Sequence, residues 1–131
     1  MWSKACQLAV ERGARKAVPL DVSGAFHTSL MQPAVAGMRE AVDATALRAP
    51  SVPFVANDRA APVADPAAIR DELIYQLTHP VRWVQCVEYM TGHGVTTFIE
   101  IGPGRVLAGL VKRIARDAEL RNINGVSSLT V

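Results

Sequence analysis

Apolar residues recur at helical spacing in most of the chain, interrupted by short apolar runs of strand character. Ala5, Leu8, Ala9 and Val10 mark one face of a first helix, capped by Ser3, running to Arg12 and closed by Gly13. Lys16 to Val22 reads as a strand, at an edge or irregular because Pro19 cannot donate to a ladder. Ser23 to Ser29 is a loop. A second helix is expected from Ser29 or Leu30 to about Ala44, with Pro33 in its first turn and Met31, Val35, Met38 and Val42 at helical spacing. The methionines read as core filling. Pro50 to Val55 predicts a short strand, followed by a loop from Asn57 through Pro62. Asp65 caps a third helix that runs from Pro66 to about Leu77. His79-Pro80 breaks it, and Pro80 opens a fourth helix that ends before Gly92-His93-Gly94. Val95 to Ile101, with two Thr, Phe and two Ile, is the strongest strand signal. Gly102-Pro103-Gly104 turns it into a fifth helix, Arg105 to about Asp117, and Arg121 to Val126 reads as a last strand.

Helices alternating with apolar strands predict an α/β layered sheet with crossovers. The length, 131 residues, fits one domain, and half of the residues are hydrophobic. Charge adds little: 14 basic against 12 acidic residues leave +2, without the concentrated basic footprint of a nucleic-acid binder. No apolar run reaches the length of a membrane span, and Met1-Trp2-Ser3-Lys4 does not open a signal peptide. Cys6 and Cys86 have no CxxC spacing, so they read as reduced core residues, and neither a metal site nor a bound cofactor is expected. Together these features point to the cytoplasm.

Candidate chemistry centres on His27. It follows an expected strand and precedes a helix, where sites gather in α/β sheets. Its side chain can take and return a proton near neutral pH. A loop histidine of this kind is also compatible with a plain surface role. His79 and His93 read as surface turn residues. Gly102-Pro103-Gly104 could hold a phosphate at a helix N-terminus or simply turn a strand into a helix. The serines, among them Ser23 and Ser29, include none in a Gly-x-Ser-x-Gly elbow.

Four ordered segments carry a resemblance. Val18-Pro-Leu-Asp-Val-Ser-Gly-Ala-Phe-His27-Thr-Ser-Leu-Met31-Gln-Pro-Ala34 resembles the histidine segment of the malonyl-CoA:acyl-carrier-protein transacylases. Ala49 to Asn57, Ile69 to Leu77 followed by Pro80-Val-Arg-Trp83, and Phe98 to Leu107 resemble that family's later motifs. The resemblance implies the C-terminal portion of an α/β-hydrolase-like acyltransferase core, over residues 23–131. Residues 1–22 would be the remnant of a ferredoxin-like subdomain.

By resemblance, His27 is the base of a two-step malonyl transfer through a serine-bound acyl-enzyme. Gln76 orients it through its backbone carbonyl, while the Gln76 side chain has no chemical task of its own. Phe26 beside His27 implies preference for malonyl over methylmalonyl, although a core aromatic would read the same. The implied substrate is malonyl-CoA and the implied partner an acyl carrier protein. The family's serine lies upstream of the matched region, so the chain is expected to supply the histidine half of a site, to be inactive alone, and to pair with an N-terminal fragment. Alternatives are a piece of a polyketide synthase acyltransferase domain and a non-catalytic module that binds phosphate or coenzyme A.

Overall fold

The computed structural model describes residues 2–19 and 22–129. Five α-helices and four short strands form among them: α1 Trp2–Glu11, α2 Val35–Asp43, β1 Phe54–Val55, β2 Pro62–Val63, α3 Pro66–Tyr75, α4 Trp83–Gly92, β3 Thr97–Ile101, α5 Val106–Ile114 and β4 Glu119–Ile123. The architecture is α/β, with two separate two-stranded sheets among the described residues instead of one layered sheet.

Most departures from the expected boundaries have local causes. Leu20 and Asp21, in the expected strand from Lys16 to Val22, lie outside the described residues, and the rest of that segment has no regular structure. The expected second helix divides. Ser29–Ala34 winds as a 3₁₀ helix around Pro33, and only from Val35 does the chain become α-helical, because Pro33 has no N–H for the i→i−4 ladder. Helix α4 starts at Trp83 and not at Pro80, since the Arg82 N–H donates to Asn57 O at 2.8 Å. Pro62 and Val63, expected in a loop, pair antiparallel with Val55 and Phe54. A proline is tolerated on so short an edge strand. Helix α3 follows its sequence signals: Pro66 occupies the first turn and Asp65 Oδ2 accepts from Ala68 N at 2.9 Å.

Strands β3 and β4 run parallel, in register from Thr97↔Glu119 to Ile101↔Ile123, with α5 as the crossover that parallel pairing requires. The turn into α5 needs glycine, with φ +138° at Gly102 and +88° at Gly104. Glu100 then closes the helix start. Its two carboxylate oxygens accept from Leu107 N at 3.1 Å and Ala108 N at 2.9 Å, satisfying N–H groups that the helix leaves open.

The buried apolar residues among those described are few: Val42, Ala56, Val63, Ile74, Cys86, Val87 and Val111. They bring α2, the β1–β2 hairpin, α3, α4 and α5 together. The surface is correspondingly large. The chain exposes 10051 Å², against roughly 6,700 Å² for a compact monomer of its mass. Ile99 and Ile101 on β3 are 52% and 78% exposed, although parallel sheets normally bury both faces. No helix among the described residues is long and apolar enough to cross a membrane.

The Glu100 cap makes a stability prediction. Glu100→Ala removes an acceptor from two helix N–H groups, so unfolding should become easier by about 1 kcal/mol. A urea titration followed by circular dichroism measures this, and an unchanged midpoint would show that water replaces the carboxylate without loss.

Candidate active site

His27 lies 49 residues before the helix end that holds it. The last turns of a helix leave carbonyls without intrahelical partners, and two near the end of α3 receive His27. Its backbone N–H donates to Leu77 O at 3.0 Å, and its ring Nδ1 lies 2.7 Å from Gln76 O. A carbonyl only accepts, so Nδ1 carries the proton in this bond. The other ring nitrogen, Nε2, keeps the lone pair.

The loop is shaped to bring this about. His27 has φ +61°, a left-handed conformation that a residue with a Cβ rarely adopts. Thr28 locks the following turn, its Oγ1 donating to Ala25 O at 2.7 Å and accepting from Leu30 N at 3.3 Å. Phe26, next to His27, is 54% exposed. Its ring sits over Gly24, where an added Cβ would come within 3.0 Å of it. Phe26 is therefore a surface ring on a glycine platform, not a core aromatic.

The other two histidines differ in kind. His79 Nδ1 bonds Tyr75 O at 2.8 Å and His93 Nδ1 bonds Tyr89 O at 2.7 Å, each four residues back on its own helix. Each ring also stacks on that tyrosine, with centroids 3.4 Å and 4.0 Å apart. They finish helices, as expected of turn residues. Among the described residues no cluster of His, Cys, Asp and Glu could hold a metal ion. Cys86 is no substitute nucleophile: it is buried, and burial first, then the nearby Glu72, pushes its thiol up.

Sequence reasoning missed the residues behind Gln76. Asn57, in the β1–β2 turn, donates from Nδ2 to Gln76 Oε1 at 2.7 Å. The Gln76 side chain, expected to be idle, thus has a definite partner. One residue on, Asp58 N donates to Glu72 Oε1 at 3.2 Å. Glu72 is only 1% exposed, the one charged side chain buried among those described. Its Oε2 and Asp58 Oδ1 are buried without a hydrogen-bond partner, Asp58 Oδ1 facing only Arg59 Nε at 3.9 Å, and a proton held between the two carboxyls would satisfy both. Only the position of Glu72, three residues after Ile69 on a helix, hinted at its burial.

No family model matches the chain. The malonyl CoA-acyl carrier protein transacylase of Bacillus subtilis (strain 168) is 46% identical over 112 residues, covering 86% of this chain and 35% of that protein. The crystal structure of acyl-carrier-protein S-malonyltransferase from Burkholderia pseudomallei 1710b superposes with a TM-score of 0.87 at 46% identity, covering 98% of this chain and 42% of that one. A malonyl-transacylase solved in complex with its type II PKS acyl-carrier protein gives a TM-score of 0.87 at 38% identity, over 97% of this chain and 41% of that one. Fold and sequence thus match the chain to one part of known acyltransferases. Within that class, it is homologous to part of a malonyl CoA-acyl carrier protein transacylase, and it spans about two-fifths of the length of the relatives it matches.

Glu72 makes the stability of this region depend on pH. Burial first, and then the Asp58 carboxyl, raise its pKa above the ordinary 4.5. The native state then holds a proton that the unfolded chain releases. The resulting stabilisation is complete below 4.5 and is lost as pH rises through the raised native value. Glu72→Gln keeps the shape without the charge. Its unfolding free energy should therefore vary less than wild type over that window and exceed wild type above it. Parallel pH profiles for the two proteins would show that burial does not perturb Glu72.

Proposed function

We propose that this chain supplies the histidine half of a malonyl-transfer site. Residues 23–131 would form the C-terminal part of an α/β-hydrolase-like acyltransferase core, and residues 1–22 the remnant of a ferredoxin-like subdomain. The observation that carries the reading is the 2.7 Å bond from His27 Nδ1 to Gln76 O, which leaves Nε2 as a base at the surface of a chain homologous to malonyl-transferring enzymes. A carbonyl here does the work of the carboxylate in a serine–histidine–acid triad: it fixes the tautomer and steadies the ring when it becomes a cation.

The nucleophile, a serine, would come from sequence outside these 131 residues. Its Oγ attacks the thioester carbonyl of malonyl-CoA while His27 Nε2 takes the hydroxyl proton. The carbon–sulfur bond breaks, and Nε2–H returns the proton to the departing coenzyme A thiolate. The thiol of an acyl carrier protein then gives its proton to Nε2 and attacks the serine ester, and the serine oxygen leaves with that proton. The carrier belongs to fatty-acid or to polyketide synthesis, and one solved relative is bound to a carrier of the latter kind.

The large exposed surface and the bare β3 residues Ile99 and Ile101 support a second polypeptide segment covering them, one corresponding to the rest of the relatives' length. A phosphate-binding module at Gly102–Gly104 is disfavoured, because Glu100 already occupies the N–H groups at the start of α5 and would repel an anion.

Intact-mass analysis after incubation with malonyl-CoA tests this proposal. The chain alone should gain no malonyl group. Supplied with a polypeptide corresponding to the rest of the relatives' length, it should support malonyl transfer to a carrier protein, and His27→Ala should slow that transfer by roughly 10²–10⁴-fold. A stoichiometric adduct on the chain alone would overturn the assignment of the nucleophile.

Phe26 should affect substrate choice in the same complemented assay. Its ring, next to His27, would crowd an α-methyl group on a substrate held at that imidazole. Phe26→Ala should relax discrimination against methylmalonyl-CoA by about tenfold, within the ~1–3 kcal/mol that one methyl group contributes in a pocket. Unchanged discrimination would assign selectivity to residues outside this chain.

A further inference from the structure

We infer that Asn57 is a positioning residue for His27, acting through the side chain and then the backbone of Gln76. The inference deepens the proposed site and rests on it only for its catalytic meaning. Asn57 Nδ2 donates to Gln76 Oε1 at 2.7 Å, and the carbonyl of that same Gln76 lies 2.7 Å from His27 Nδ1. The amide therefore grips the residue whose carbonyl orients the imidazole. That residue is the C-cap of α3, where a helix is no longer held by its own ladder and an outside anchor has most effect.

Asn57 is well fixed for this task. Its own carbonyl accepts from Arg82 N at 2.8 Å, which ties it to the start of α4. The next residue, Asp58, donates its N–H to Glu72 Oε1 one turn back along α3. The hairpin turn that presents both residues is closed by Ala60, whose N–H donates to Ala56 O at 3.0 Å with φ +52°. Two rungs, Asn57–Gln76 and Asp58–Glu72, thus join the hairpin to the last turns of α3. Neither the carboxyl pair nor the hairpin touches the imidazole. Their effect reaches it through one carbonyl.

The protein contains its own control. His93 also bonds a backbone carbonyl through Nδ1, but on α4 and without Asn57, whereas His79 does not serve, because its N–H shares the Gln76 carbonyl at 3.3 Å. Nitrogen-15 imidazole NMR of the 131-residue chain reads the tautomer and the Nδ1–H exchange of all three rings. In Asn57→Ala, exchange at His27 Nδ1–H should quicken at least tenfold and its tautomer should become mixed, while His93 keeps its wild-type signals. Asn57→Asp should restore His27, because the Gln76 amide can turn and donate to the carboxylate.

An unchanged His27 signal in a folded Asn57→Ala would overturn the inference. So would an equal change at His93 with retained fold, since the effect would then not be local. If Asn57→Ala does not fold, Gln76→Glu and Gln76→Met decide. The glutamate still accepts from Asn57 and should leave His27 as in wild type, whereas the methionine should reproduce the loss. Equal behaviour of the two would refute the role. This NMR readout needs no acyl transfer. A positive result with no dependence of transfer on His27 would retain the positioning and discard the proposed function.

Discussion

A single backbone carbonyl organises the candidate site. Gln76 O, just past the last turn of helix α3, accepts from His79 N at 3.3 Å and meets His27 Nδ1 at 2.7 Å. Everything that defines the imidazole follows from that meeting. The acceptor dictates where the ring proton sits, the proton dictates which nitrogen is basic, and the strained backbone at His27 persists because Leu77 O also holds its N–H. A carboxylate in the same place would add a negative charge, with the attendant need to solvate or pair it. A carbonyl at a helix C-terminus offers a negative dipole end instead, already oriented by the helix. The position of α3 is therefore a chemical variable, and the hairpin that anchors α3 belongs to the site.

The sequence made visible whatever depends on local pattern. The Pro66 start and Asp65 cap of α3, the glycine turn after β3, and the strand character of Thr97 to Ile101 are written in neighbouring residues. His27, Gln76 and Phe26 were legible only as matches to a family's ordered motifs, since a loop histidine and a helix-end amide carry no signal alone. The structure brings His27 and Gln76 together and places Phe26 beside them at the surface. What stayed hidden depends on distant partners. The late start of α4 comes from Arg82 bonding Asn57. The burial of Glu72 comes from packing against the Asp58 turn. The second helix divides for a different reason: Pro33 is compatible with a first α-turn, but the chain accommodates it in a 3₁₀ helix.

Stability and function meet in the surface that this chain leaves bare. A parallel strand pair with Ile99 and Ile101 exposed does not bury its own apolar area. The free energy that such burial would contribute, about 25 cal/mol per Å², becomes available only when another segment covers it. In a site divided between a histidine on one segment and a nucleophile on another, the same burial would set the distance between them. Association would then complete the core and the catalytic geometry in one step, and a loosened interface would cost activity as well as stability. The bonds that seat His27, from Gln76 O to its ring and from the hairpin to the end of α3, all lie within this chain. In the proposed site the imidazole would thus be oriented before a nucleophile is brought to it.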